Sequence, residues 1–136
     1  MNIQKEAQKF FSDACLAYTY AHLASGKSDF KSLTVFVAKG LEKGYLDNEA
    51  NVDYPVQYIN MILEACGKKE RIRDVEKVEI NSLSELPEGE YAVGFKYNIL
   101  HFVSATNKCV TLDSWENSES VRYGKPVTYR RLIFIS

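Results

Sequence analysis

Three side chains in this 136-residue sequence could do chemistry together: Cys15, His101 and Asp113. A thiolate is a strong nucleophile at neutral pH. An imidazole can take and return its proton there. A carboxylate beside the imidazole fixes its tautomer and stabilises the imidazolium. In those roles Cys15 is the nucleophile, His101 the general base and then acid, and Asp113 the orienting group of an acyl-transfer reaction. Each residue also has a plain reading. Cys15 stands near Ala14, Ala17, Tyr18 and Ala21 and can be a small buried hydrophobe. His101, between Leu100 and Phe102, can be a satisfied core histidine, and Asp113 can begin a turn with Ser114 and Asn117.

Position decides between the readings. Ser12-Asp13 are good N-cap residues, so a helix is expected to start at or just after Asp13 and to hold Cys15 in its first turn. There, unpaired backbone N–H groups and the positive end of the helix dipole stabilise a thiolate. A three-residue loop at Thr106-Asn107-Lys108 makes strand pairing symmetric about Asn107 and sets His101 directly across from Asp113. Their Cβ atoms are then about 4.5 to 5.5 Å apart, close enough for an imidazole–carboxylate bond. A two-residue loop shifts the pairing by one and turns Asp113 to the other face. His22, seven residues after Cys15, lies about 10 Å along the helix, too far to serve that thiol directly. It reads as a helix-end or loop histidine.

The elements that must hold these residues fall into two halves of one domain over 1–136, helical to about 67 and strand-forming from about 75. The fold class is α+β, N-terminal helices packed on a C-terminal antiparallel sheet, because helices and strands are segregated and not alternating. The first helix ends near Gly26. The second carries Leu33, Phe36, Val37 and Leu41 at helical spacing and stops at Gly44. Asp47 to Asn51 is a polar loop, and Asp53-Tyr54-Pro55 opens a third helix with Val56, Ile59, Leu63 and Cys66 on one face and Gly67 at its end. Cys66 is thus a core residue. Strands are expected at Val75 to Ile80, Glu90 to Tyr97, Ile99 to Ala105, Cys109 to Trp115 and Val127 to Ile135, the last of them central or well covered.

Composition narrows the partners. With 17 Lys+Arg against 18 Asp+Glu, the net charge of −1 gives no electrostatic footprint for nucleic acid or an anionic membrane. No apolar run approaches the ~20 residues of a membrane span, and the N-terminus lacks the pattern of a secretory signal. The expected location is cytoplasmic, with lysis or a dedicated export system as the route out. Three widely spaced cysteines without a CxxC motif, and two histidines, suggest neither a disulfide framework nor a zinc site. No phosphate-cradling glycine motif is present, and no metal or organic cofactor is called for. The mixed charges of Lys68 to Asp74 read as solvated surface.

A cysteine opening the first main helix, then a histidine in a β-hairpin and a polar residue on the following strand, resembles the papain-like cysteine peptidase superfamily, closest to its small bacterial and phage branches. His101-Phe102-Val103 with Val110-Thr111-Leu112-Asp113-Ser114 looks like the paired strands that carry that superfamily's base and its orienting residue. Asp113-Ser114-Trp115 is similar to its Asn-Ser-Trp motif. The resemblance implies a papain-like fold and a thiol hydrolase acting on a peptide or related amide bond, with Trp115 shielding the His101–Asp113 pair. It also implies an oxyanion-hole glutamine before the nucleophile, for which Gln8 and Gln4 are the candidates. The flanking Cys-Gly-Ser-Cys-Trp signature is absent, the sequence reading Asp13-Ala14-Cys15-Leu16-Ala17. The rival reading is a catalytically inactive papain-like module that binds a peptide or protein in its cleft. A cell-wall peptide, a leader peptide and a host protein all fit such a cleft, and oligomeric state is not legible.

Overall fold

Each long helix begins or ends on the punctuation the sequence carries. In the computed structural model, which describes residues 14–114 and 119–136, α1 spans Cys15–Ser25 and closes on Gly26 with a left-handed φ of 74°. Helix α2, Phe30–Glu42, is capped by Asp29, whose carboxylate accepts from Ser32 N at 2.9 Å. Helix α3, Pro55–Ala65, uses Pro55 in its first turn, where the missing N–H costs nothing. The loop between α2 and α3 is built on the Asp47 carboxylate, which accepts from Glu49 N, Asn51 N and the Asn51 side chain. Gln4, Gln8, Ser12, Asp13, Trp115 and Asn117 lie outside the described residues.

The three helices pack on a five-stranded antiparallel sheet formed by β1 Ile72–Glu79, β2 Tyr91–Lys96, β3 Leu100–Ala105, β4 Val110–Leu112 and β5 Lys125–Phe134. The order across the sheet is β1-β5-β2-β3-β4, so β5 is an interior strand paired on both sides, although Phe134 and Ile135 at its apolar end are exposed. Helix α1 is the central helix. Ala17, Tyr18, Thr19, Tyr20, Ala21, His22 and Ala24 are all buried, against α2 and α3 on one side and β2 and β3 on the other. Its small residues let neighbours approach: the fully buried Tyr58 of α3 donates its hydroxyl to Ala17 O at 2.9 Å. Burial pushes the Tyr58 ionisation well up, so the phenol stays a neutral donor. Gly40 of α2 makes room for the same ring, since a Cβ there would lie 2.7 Å from Tyr58 Cε1.

The sheet separates two apolar layers. The helix side joins Tyr18, Val37, Ile59, Ile62 and Leu63 to Ile72 and Ala92 of the strands, with Leu112 packed against them. The opposite side gathers Ile80, Leu86, Val93, Phe95, Val103, Ala105 and Tyr129. Each large side chain fully withdrawn from water contributes about 1.5–3 kcal/mol, which makes these layers the main source of stability.

Three details differ from the sequence-based expectation. Strand β1 begins at Ile72, not Val75, because the Asn60 side chain of α3 pairs with the Ile72 backbone, donating to its O at 3.0 Å and accepting from its N at 2.8 Å. Strand β4 stops at Leu112 instead of running on to Trp115. A 3-10 turn at Leu83–Glu85 and a short helix α4 at Glu119–Tyr123 interrupt the strand half. The former is a capping box, in which Glu85 Oε2 accepts from Ser82 N at 2.8 Å. Among the described residues, no helix is long and apolar enough to cross a membrane.

Candidate active site

Because β4 pairs only with Ser104 and Ala105, the β3 backbone upstream of Ser104 has no strand neighbour on that edge among the described residues. The first turn of α1 docks there. Phe102 N donates to Cys15 Sγ at 3.5 Å, and Thr19, one turn along, directs its hydroxyl to Phe102 O at 3.4 Å and to Cys15 O at 2.7 Å. The helix cap is Ala14, one residue later than expected at Asp13, and Cys15 is therefore the first helical residue. The thiol meets the helix N-terminus and a backbone donor together.

His101 sits beside it on β3, 1% exposed, with Nε2 bonded to Asp113 Oδ1 at 2.6 Å; the Asp113 side chain is 19% exposed. Cys15 lies within hydrogen-bonding reach of the same ring. Since Nε2 is committed to Asp113, Nδ1 is the nitrogen left for the sulfur. Burial alone lowers the His101 pKa, but the Asp113 bond and the bond and charge of Cys15 outweigh it and raise it to about 9. The ring holds its proton at neutral pH, placing an imidazolium between a carboxylate and a sulfur.

The hairpin delivers Asp113 by a route other than the expected one. The chain turns tightly at Asn107-Lys108, with Thr106 N donating to Cys109 O at 2.9 Å and Ala105 opposite Val110. That shorter turn alone would put Asp113 on the wrong face. A bulge then intervenes: the partner of Ser104 is Leu112, so Thr111 is an extra residue. The second shift restores the face, and Leu112 reaches the helix-side core. Continued past Leu112, this register sets Asp113 across from Val103, not His101. The side chains meet diagonally, within reach for long polar groups.

His22, expected only as a helix-end or loop residue, holds a second pair. Its Nε2 bonds Glu90 Oε2 at 3.1 Å and its Nδ1 bonds Lys27 O at 2.7 Å, at the C-terminal end of α1. The same Glu90 oxygen accepts from the hydroxyl of Thr111, the bulge residue. Nothing local in the sequence signals this contact, which spans 68 positions. Cys66, at the end of α3, is half-buried against the helix-side core, and Cys109 is exposed at the hairpin turn.

Two concavities flank α1. One of about 160 Å³ adjoins Asp113, walled by Tyr18, Phe30, Leu33 and Leu112. A larger groove, about 560 Å³, lies between Leu23, Glu90 and residues 130–134 of β5, at the other end of the helix. Of the three reactive residues, Asp113 lines the smaller one. Cys15, His101 and Asp113 are thus brought together, while the oxyanion candidate Gln8 and the shielding candidate Trp115 fall outside the described residues. No protein-family model, curated protein or solved structure matches the chain, so a functional reading rests on the geometry of this site.

Proposed function

We propose that the chain is a papain-like cysteine peptidase or amidase that cleaves a peptide or related amide bond through an acyl-enzyme on Cys15. The observation that carries this reading is the single buried ring of His101, held by Asp113 at 2.6 Å and shared with Cys15. In the resting site the proton that left Cys15 sits on His101 Nδ1, giving a thiolate and an imidazolium whose charge the Asp113 carboxylate offsets. The thiolate attacks the substrate carbonyl, and the new oxyanion is met by backbone N–H groups at the start of α1. His101 returns the proton to the leaving amine as the C–N bond breaks, leaving a thioester on Cys15. His101 then deprotonates a water, which displaces the sulfur and releases the acid. An acceptor amine in place of that water gives transfer instead of hydrolysis.

The resemblance in element order supports peptide-like substrates, and the substrate class is tested directly. Wild type and Cys15→Ala are compared on a library of fluorogenic peptide amides, with intact mass measured after rapid acid quench. The expected result is turnover in wild type alone and an acyl adduct on the Cys15 peptide. Equal turnover in Cys15→Ala overturns the assignment. Complete inertness, with peptides still bound, replaces the enzyme by the binding module.

A further inference from the structure

Asp113 faces His101 only because the β3–β4 hairpin carries its bulge at Thr111. Without it, the pairing of Ala105 with Val110 would continue as Ser104 with Thr111 and Phe102 with Asp113. The carboxylate would then lie on the Phe102 face of the sheet, away from the ring of His101. Two contacts distinguish the bulged hairpin from the slipped one. Leu112 reaches the helix-side core, and the Thr111 hydroxyl donates to Glu90 Oε2. Glu90 is in turn bonded by His22, a buried residue of α1 whose other ring nitrogen is fixed on Lys27 O.

We infer that Glu90 and Thr111 are positioning residues that lock the hairpin register and so hold Asp113 on His101. The chain of contacts starts and ends on one helix: His22 to Glu90, Glu90 to the Thr111 bulge, the bulge to Asp113, Asp113 to His101, and His101 to Cys15. Helix α1 sets its two ends about 10 Å apart, giving the strand-borne groups a fixed frame. Glu90 touches neither the sulfur nor the ring of His101. Its effect passes through the backbone of β4, and does so whether or not the site turns over a substrate.

The test reads the His101 proton and not activity. In wild type, the His101 ring resonance followed by NMR is expected to titrate near 9, the bonds to Asp113 and Cys15 outweighing burial. In Thr111→Val and in Glu90→Ala, the midpoint is expected to fall well below 9, towards the value in Asp113→Asn, while Thr111→Ser keeps the wild-type midpoint. Both altered positions are exposed, so the variants should fold. The double variant should lower the midpoint no further than either single one, because the two groups act in one chain. The inference is overturned if Thr111→Val and Glu90→Ala melt earlier yet leave the His101 titration at its wild-type midpoint. That result assigns the register to Leu112 alone. Loss of peptide turnover with an intact titration would count against the proposed reaction and not against this positioning role.

Discussion

A histidine–carboxylate pair lies at each end of helix α1, and the two pairs differ in what the second ring nitrogen does. At the C-terminal end, His22 bonds Glu90 at 3.1 Å and spends its other nitrogen on Lys27 O, so every polar atom of the ring is absorbed by the fold. At the N-terminal end, His101 bonds Asp113 at 2.6 Å and turns its other nitrogen towards a thiol. The first pair is more open, its carboxylate 34% exposed against 19% in the second. A His–carboxylate bond alone therefore says little about chemistry. The third group decides: a carbonyl makes the pair a strut, and a thiol, under the proposed function, makes it a proton-transfer device.

The contrast is broken most severely at the sulfur. Cys15→Ala should lower turnover by about 10⁴-fold or more, with the far-ultraviolet circular dichroism unchanged, whereas His22→Ala, which reaches the site only through Glu90 and the Thr111 bulge, should lower it far less. A comparable loss in both variants would erase the distinction between the two ends.

The next effect is a pH dependence of stability. The folded-state pKa of His101, about 9, lies above its ordinary value of 6.5. The pair's stabilisation is therefore fully present below about pH 6.5 and is lost as pH rises through about 9, a change on the order of 3 kcal/mol. Urea titrations across that window should show the decline in wild type and its absence in His101→Gln. A flat wild-type curve would contradict the buried imidazolium.

Asp113→Asn keeps the shape but removes the charge that offsets the imidazolium, and should slow turnover by about 10²-fold, with the loss concentrated in kcat. An effect confined to KM would move Asp113 from orienting the ring to binding substrate. The smallest effect belongs to the strut: His22→Ala should cost about 1–3 kcal/mol in denaturant unfolding, the penalty for leaving a part-buried acceptor unsatisfied.

Much of this site was legible before the structure. Gly26 and Pro55 are local signals, and they marked helix ends because caps are settled by neighbours in sequence. Cys15, His101 and Asp113 were legible as a set because thiol, imidazole and carboxylate have complementary chemistry. The register was not. A turn shorter than expected and a bulge at Thr111 each shift the pairing, and together they return Asp113 to the right face by a diagonal contact. The bulge is settled by the core position of Leu112 and by Glu90, groups distant in sequence from one another. His22 was unreadable for the same reason, since its partner Glu90 arrives from the sheet. The capping box at Ser82 and Glu85 is a local signal too, in the stretch between the strands expected at Val75 to Ile80 and Glu90 to Tyr97.

The central claim is that Cys15 and His101 act as one unit, and the pH dependence of iodoacetamide alkylation at each cysteine, read by peptide mass spectrometry, tests it most directly. In wild type, Cys15 should react well below pH 8 and ahead of Cys66 and the exposed Cys109, and in His101→Ala that low-pH reactivity should disappear while Cys109 is unchanged. A Cys15 whose alkylation profile matches that of Cys109 in both proteins would contradict the account, leaving the His101–Asp113 pair as a second strut.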